Sequence, residues 1–222
     1  VDYLTFRSTV MRDMFARILE TGSRAVICHL CSIWYMDLTY SLAARFQIPI
    51  IIAGWTKGQS TDQEVMSKCA CNIDAPEFAS MARATQEFLA SLKGDPKYAD
   101  FPRSMEEVLR RAKKRHKCIV LSPHWFLPFD ADTYVDMLRS ELEWKYPSLS
   151  YPGKSTNCAL NFISVYNSMK YYGYSHYHVE MSKLIRLGML TREEALRRLE
   201  PNYDDRLLRD LAAQCGCTRC QG

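Results

Sequence analysis

The sequence predicts an α/β fold built on a parallel sheet and continued by a helical C-terminal portion. Three observations predict it. Two strand-length apolar runs, Ile48-Pro49-Ile50-Ile51-Ile52-Ala53 and Cys118-Ile119-Val120-Leu121-Ser122, lack the alternation of a half-exposed strand, as parallel strands covered on both faces do. Helical patterns precede and separate these runs, in the places where parallel strands need crossovers. The last third reads as one helix after another.

The elements follow in order. Val1 to Arg7 (VDYLTFR) alternates apolar and polar residues and predicts a strand, and Thr9 to Glu20 predicts an amphipathic helix ended by Gly22. Cys28-His29-Leu30-Cys31 stands at the mouth of a long apolar helix, Ser32 to Phe46, which feeds the first apolar run. Pro49 suits the start of that buried strand. The glycine-bearing loop Gly54 to Gln63 then lies at the strand's carboxyl end, where open α/β sheets place their ligands.

Pro76 to Leu92 and Ser104 to Lys114 predict helices, the second with Ser104 and Glu107 spaced as a capping box. The second apolar run is followed by the aromatic loop Pro123 to Phe129, which holds His124. Helices are then predicted over Thr133 to Leu142, Ala159 to Tyr172 and His176 to Leu187, the last ended by Gly188. A short helix opens at the Thr191 and Glu194 capping box and closes at Pro201. Two units result: an α/β domain over 1–157 and a helical portion with a cysteine-rich tail over 158–222. That tail, Cys215-Gly216-Cys217-Thr218-Arg219-Cys220, is too small to fold without a ligand or a docking surface.

Composition bounds the class. With 222 residues, 47% hydrophobic and 24% charged, the chain can bury one substantial core. No stretch reaches the ~20 apolar residues of a membrane span, and Val1-Asp2-Tyr3-Leu4 carries no signal-peptide pattern, so a cytoplasmic protein is expected. The net charge of +4 is mild, and its basic runs, Arg110 to Lys117 and Lys183 to Arg198, read first as solvated helix faces and second as phosphate or RNA contacts.

Nine cysteines are many for such a chain, and they cluster at 28/31, 69/71 and 215/217/220, with Cys118 and Cys158 alone. An odd count in C-x-x-C and C-x-C spacings suits metal ligation or sulfur handling better than a disulfide framework. Two thiolates three residues apart can grip one metal or cluster, or form a redox disulfide. Cys118, at the start of a buried strand, reads as a core thiol. Cys69 and Cys71 are either sulfur-relaying thiols or incidental ones. His124 reads as a packed or surface residue that could touch substrate. His176 and His178, two apart on a helix, fall on different faces and do not suit one metal. Tyr171, Tyr172, Tyr174 and Tyr177 read as a helix contact, and Trp34, Tyr35 and Met36 as facing the core or shielding a metal cluster.

The order of strand, helix, C-x-x-C, helix IWYMDLTYSLAARFQ, strand IPIIIAGW, and later strand IVLSPH followed by STNCALN resembles the PP-loop ATP pyrophosphatases. These adenine-nucleotide α-hydrolase-like (HUP-like) transferases activate a substrate oxygen as an adenylate before sulfur or nitrogen replaces it. The resemblance covers about Val1 to Glu200 and implies ATP with Mg, with Gly54 and Lys57 on the nucleotide side. A homodimer is the assembly it suggests.

Two branches of that superfamily compete. The cysteine layout looks like the tRNA thiolation enzymes, in which a C-x-x-C and a later third cysteine hold a 4Fe-4S cluster. Cys28, Cys31 and Cys158 occupy those places, and three ligands would leave one iron open to carry sulfur from a donor to a small-molecule or tRNA acceptor. The main expectation is therefore an ATP-dependent sulfurtransferase. HVEMSKLIRLGMLTREEAL, residues 178–196, is similar instead to the end of the N-acetyl sugar amidotransferases, which use ammonia from a glutaminase partner and need no cluster.

A third possibility is a non-enzymatic zinc module. Cys28 and Cys31 could form half of a closed zinc site with the tail as its other half. Cys215, Cys217 and Cys220 could also bind zinc with cysteines of a preceding segment.

Departures from the family matter as well. Its S-G-G-x-D-S phosphate loop occurs nowhere in these residues. The expectation is that the chain lacks the N-terminal strands that would carry that loop, since a strand beginning at residue one needs paired neighbours. The acidic run that follows the glycine in the thiolation enzymes is replaced by Trp55, Thr56, Lys57, Gly58 and Gln59, and Tyr35 stands near the place of their catalytic lysine. No catalytic residue is carried over.

Overall fold

The computed structural model describes residues 2–55, 59, 79–127, 131–153 and 155–217. Among them the chain forms helices α1 (Thr9–Thr21) and α2 (Ile27–Arg45), strand β1 (Ile50–Ile52), helices α3 (Ala79–Ser91) and α4 (Met105–Arg115), and strand β2 (Ile119–Leu121). Five helices follow: α5 (Ala131–Leu142), α6 (Leu160–Tyr172), α7 (His176–Arg186), α8 (Arg192–Leu199) and α9 (Asp205–Gln214).

The two strands are parallel, with Ile50 opposite Ile119, Ile51 opposite Val120 and Ile52 opposite Leu121. The ladder is extended at both ends, where the Ile119 amide donates to Pro49 O (2.9 Å) and the Ala53 amide to Leu121 O (2.8 Å). Both expected apolar runs thus supply strands. Their burial differs from expectation: Ile51 packs against the core, but Ile50 and Ile52 are 49% and 62% exposed. Successive strand side chains face opposite ways, and among the described residues only the side bearing Ile51 and Val120 is covered. Residues 2–7 form no strand and are exposed. Six alternating residues without a neighbouring ladder have nothing to hold them extended.

Helix α2 is the centre of the molecule. It is apolar almost all round, as a helix packed on several sides must be, and it touches α1, α3, α4 and α6. Ile27, Leu30, Ile33, Met36, Tyr40 and Ala43, spaced by three or four, are its buried positions. Its one acidic residue, Asp37, meets Arg111 (3.9 Å) and Arg115 (3.4 Å) of α4. Those two members of the basic run 110–117 therefore dock one helix on another, whereas Arg110, Lys113, Lys114 and Lys117 form the exposed face expected of it.

Local capping explains most boundaries. In α1 the Met11 amide donates to Ser8 Oγ (3.1 Å), and Gly22 closes the helix at φ 65°, a conformation glycine adopts without cost. In α4 the Glu107 amide donates to Ser104 Oγ (3.2 Å), but the Glu107 carboxylate accepts from the Arg103 amide (2.8 Å) and not from Ser104, so the expected reciprocal box is shifted by one residue. Ser104→Ala removes the cap and is expected to cost about 1 kcal/mol, read as a lower urea midpoint at unchanged slope; an unaltered midpoint would contradict the assignment.

The C-terminal helices dock through hydroxyls and rings. Tyr171 and Tyr172 of α6 donate to Gly22 O (2.9 Å) and Arg24 O (2.8 Å), clamping the loop between α1 and α2. This bears out the reading of these tyrosines as a helix contact. Phe162 is fully buried between Tyr151 (6.3 Å between centroids) and Tyr203 (5.8 Å). Helix α9 was not expected. Asp204 Oδ1 accepts from the Leu207 amide (2.8 Å), and Leu211 and Ala212 are buried, α9 packing on α6.

Candidate functional site

The amino end of α2, the start of α6 and the end of α9 bring cysteines together. Because α2 begins at Ile27, Cys28 and Cys31 lie within its first two turns and not ahead of it, one turn apart along the helix. Cys158 stands in the exposed turn before α6, where its carbonyl accepts from the Asn161 amide (3.0 Å). Asn161 is itself buried and accepts from Cys28 Sγ at 3.5 Å, while Ser164, one turn further on, accepts from the Cys28 amide (3.4 Å). Cys31 packs against the same core cluster that contains Cys215 and Cys217.

The charges of these thiols reach one another. Burial pushes the Cys28 thiol up to about 12, against a hydrogen bond from Ser164 that lowers it, with Cys158 and Cys31 raising it further. Burial and Cys158 push Cys31 up to about 11. Cys215 is raised by burial, lowered by Arg12, and raised again by Cys217 and Cys158. Cys158 is thus the common neighbour of Cys28, Cys31 and Cys215. The electrostatics of Cys28, Cys31 and Cys215 each feel Cys158, but the expected trio of Cys28, Cys31 and Cys158 is not gathered, among the described residues, into a group that could hold a metal ion.

Sites with four sulfur ligands need thiolates, and here burial favours the neutral thiols. Among the described residues no three His, Cys, Asp or Glu side chains stand close enough to hold a metal ion as placed. Cys217 is fully buried in the core. Cys118, packed on the core and raised by burial, behaves as the core thiol expected. Cys69, Cys71, Cys220 and Lys57 lie outside the described residues.

A histidine pair flanks the thiols. His29, between the two cysteines in sequence, is buried, and burial together with His176 holds its imidazole down to about 3. His176 is held down to about 4 by burial and His178, its ring lies 4.1 Å from that of Tyr177, and its buried Nδ1 has no hydrogen-bond partner. His178 does different work: its Nδ1 accepts from the Ser175 amide (3.2 Å) and caps α7. The two histidines therefore serve separate functions, as their spacing indicated. Tyr177, beside Cys28, Cys158 and Asn161, has its phenol raised well above the ordinary range, first by burial.

At the carboxyl ends of the strands, Ser122 donates to Trp55 O (2.7 Å), joining the two loops there. Gly54 is exposed, and a Cβ added to it would meet nothing within 4 Å, so no close approach demands glycine. His124, on the turn Pro123–Trp125, is lowered by partial burial, and Lys183 Nζ lies 5.7 Å from the Trp125 ring centroid.

The helical portion holds an open apolar depression of ≈ 390 Å³ lined by Tyr151, Val165, Met169, His178, Leu199 and Tyr203.

The residues that bond Cys28, namely Asn161 and Ser164, were not singled out from the sequence. A signal existed. Asn161, Ser164 and Ser168 recur at helical spacing on an otherwise apolar helix, and all three are buried.

The segment from just before Cys158 to the tail is similar to a domain found in lipopolysaccharide biosynthesis proteins. The matching family model is described as LPS biosynthesis protein WbpG-like, C-terminal domain, and it covers residues 156–220. The match takes in α6 to α9, Cys158, Cys215, Cys217 and most of the pocket lining. No curated protein and no solved structure matches the chain. None of the described helices is long and apolar enough to cross a membrane.

Proposed function

We propose that this chain acts in an ATP-dependent amidotransferase that exchanges the acetamido oxygen of an N-acetyl sugar for nitrogen during lipopolysaccharide biosynthesis, with ammonia from a glutaminase partner. The match over residues 156–220 carries the reading. Within it, residues 178–196 fold as α7, the Gly188 turn and α8, so the stretch similar to the sugar amidotransferases is one packed unit beside the pocket. The α/β part with its parallel strands belongs to the same proposal as a PP-loop-type domain. It presents the strand ends, with Trp55, Ser122 and His124, where such sheets hold ligands.

In the reaction, the amide oxygen leaves with AMP after adenylation and ammonia supplies the nitrogen that replaces it, giving an amidine, AMP and pyrophosphate. The competing reading, sulfur insertion, needs a cluster with one iron lacking a protein thiolate. Cys28, Cys31 and Cys158 have the layout it calls for, but among the described residues no three such side chains stand close enough to hold a metal ion.

The test uses a nucleotide-linked N-acetyl sugar with a heavy-oxygen label in its acetamido group, ATP, magnesium and either ammonium or sulfide. Label appearing in AMP, with an amidine formed only when ammonium is present, is the expected result. A thioamide formed from sulfide would overturn it, as would label that stays wholly in the sugar.

A further inference from the structure

We propose that α5 is a self-pairing helix: two copies of this chain associate by laying their α5 helices antiparallel, with Val135, Leu138 and Leu142 as the seam. The proposal is independent of the sugar reaction, since it concerns a helix that takes no part in that reading.

Helix α5 stands without support. None of its described side chains belongs to the core or packs against it, and among the described residues no other helix or strand packs broadly on it. From Asp132 to Leu142 every residue is exposed except Val135, which is half-buried. An isolated helix of this length is marginal in water, and helices in folded proteins draw most of their stability from packing an amphipathic face. Thr133, Tyr134 and Val135 are weak helix formers besides. Yet α5 is closed like a packed helix: Glu143 takes φ 53° just past it, and the Trp144 amide donates back to Leu138 O (3.3 Å).

The sequence pattern points to the occupant of this face. Val135, Leu138 and Leu142 recur at spacings of three and four, the narrow seam of a coiled coil. Along one edge of the seam stand Asp132 and Arg139, and along the other Tyr134 and Glu141, each pair one heptad apart. When a second copy is turned end for end, like edges meet with their order reversed. Asp132 of each copy then faces Arg139 of the other, and Tyr134 faces Glu141, hydroxyl to carboxylate. A parallel pair sets one edge against the opposite edge and makes neither contact.

Charge also argues against other occupants. Helix α5 carries three carboxylates, Asp132, Asp136 and Glu141, to one guanidinium, Arg139, the wrong balance for an anionic membrane or a nucleic acid. Within its own chain Arg139 meets only the exposed Asp136 (3.5 Å) and the Tyr146 ring (5.9 Å to its centroid) among the described residues, and such an exposed ion pair yields readily to a better one. The helix is about 18 Å long, and one face of it falls short of the ~800 Å² per partner of a standard interface. Association is therefore weak and concentration-dependent.

The test is sedimentation equilibrium of the full chain from micromolar to submillimolar protein, kept reduced so that no disulfide links two copies. The expected result is a mean mass that rises toward that of two chains and no further. Leu138→Glu should remove the rise. Asp132→Arg and Arg139→Asp, both at exposed positions, each set like charges face to face at both contacts and should weaken self-association about tenfold or more. Mixing these two variants restores opposite charges at both contacts, so the mixture should recover the parent's association as a heterodimer. A chain that stays monomeric throughout would overturn the proposal and assign α5 to a different partner. A dimer that survives Leu138→Glu would also overturn it, as would a mixture that associates no more tightly than its components.

Discussion

Acidification from pH 7 to pH 4 is expected to destabilise the folded chain steeply, beginning above the range in which ordinary carboxylates titrate. His29 and His176 are held neutral by burial, with folded values near 3 and near 4 against an ordinary 6.5. The unfolded chain binds both protons as the pH falls below 6.5, while the folded chain refuses them. Stability is therefore fully present above the unfolded value and declines as the pH drops toward the folded ones. Each histidine contributes a slope of up to about 1.4 kcal/mol per pH unit, which makes the loss by pH 4 on the order of 5 kcal/mol.

Glu107 loses its contribution in a lower window. Burial alone would raise it, but the Arg103 amide and the Arg111 guanidinium hold it below its ordinary value. Urea midpoints measured at intervals from pH 7 to pH 4 check the histidine term. His176→Phe keeps a ring against Tyr177 and removes one titrating group, so its profile should be visibly flatter; an identical slope in variant and parent would refute the assignment.

The second large effect is at Phe162. Its side chain is fully buried between the rings of Tyr151 and Tyr203, and Tyr151 in turn meets Tyr177 (5.7 Å). Phe162→Ala removes a ring that neighbouring rigid rings cannot collapse to replace, and about 3–5 kcal/mol of stability should go with it. Phe162→Leu keeps most of the volume and should lose much less. Thermal or urea unfolding distinguishes them, and a Phe162→Ala loss below about 1 kcal/mol would show that this cluster is not the anchor of the helical portion.

Much of the helical structure was legible because its punctuation is local. Ser104 and Thr191 cap where the sequence placed them, Ser8 caps the helix expected from Thr9, and Gly22 and Gly188 end helices at positive φ. The same local rules could have found α9, whose Asp204 cap and buried Leu211 were overshadowed by the adjoining cysteines. The strands show the opposite case. An apolar run identifies Ile50–Ile52 and Ile119–Leu121, but which face is covered depends on distant neighbours, and Ile50 and Ile52 turned out exposed. Residues 2–7 show that alternation alone does not make a strand.

At the candidate site, the C-x-x-C was plain from its spacing and Cys158 from a resemblance. Cys215 was in view as part of the tail that could complete a zinc site with Cys28 and Cys31, but its electrostatic reach to Cys158 follows only from the packing of α9 on α6. The similarity of residues 178–196 to the N-acetyl sugar amidotransferases was readable before any packing was known, and the match over 156–220 fits that alternative better than it fits sulfur transfer.

Asn161 gives the molecule a relay. Its Oδ1 takes the Cys28 hydrogen bond, and its Nδ2 donates to the Tyr151 carbonyl at 2.5 Å. Tyr151 lines the pocket, and its hydroxyl holds Leu199 O on the far side (2.8 Å). Sulfur and pocket are thus separated by a single amide group. A thiolate at Cys28 would have no proton to give Asn161 Oδ1, so this link belongs to the neutral thiol, the form that burial favours. One neutral thiol is in this way joined through a single side chain to a residue that lines a cavity without a cysteine of its own.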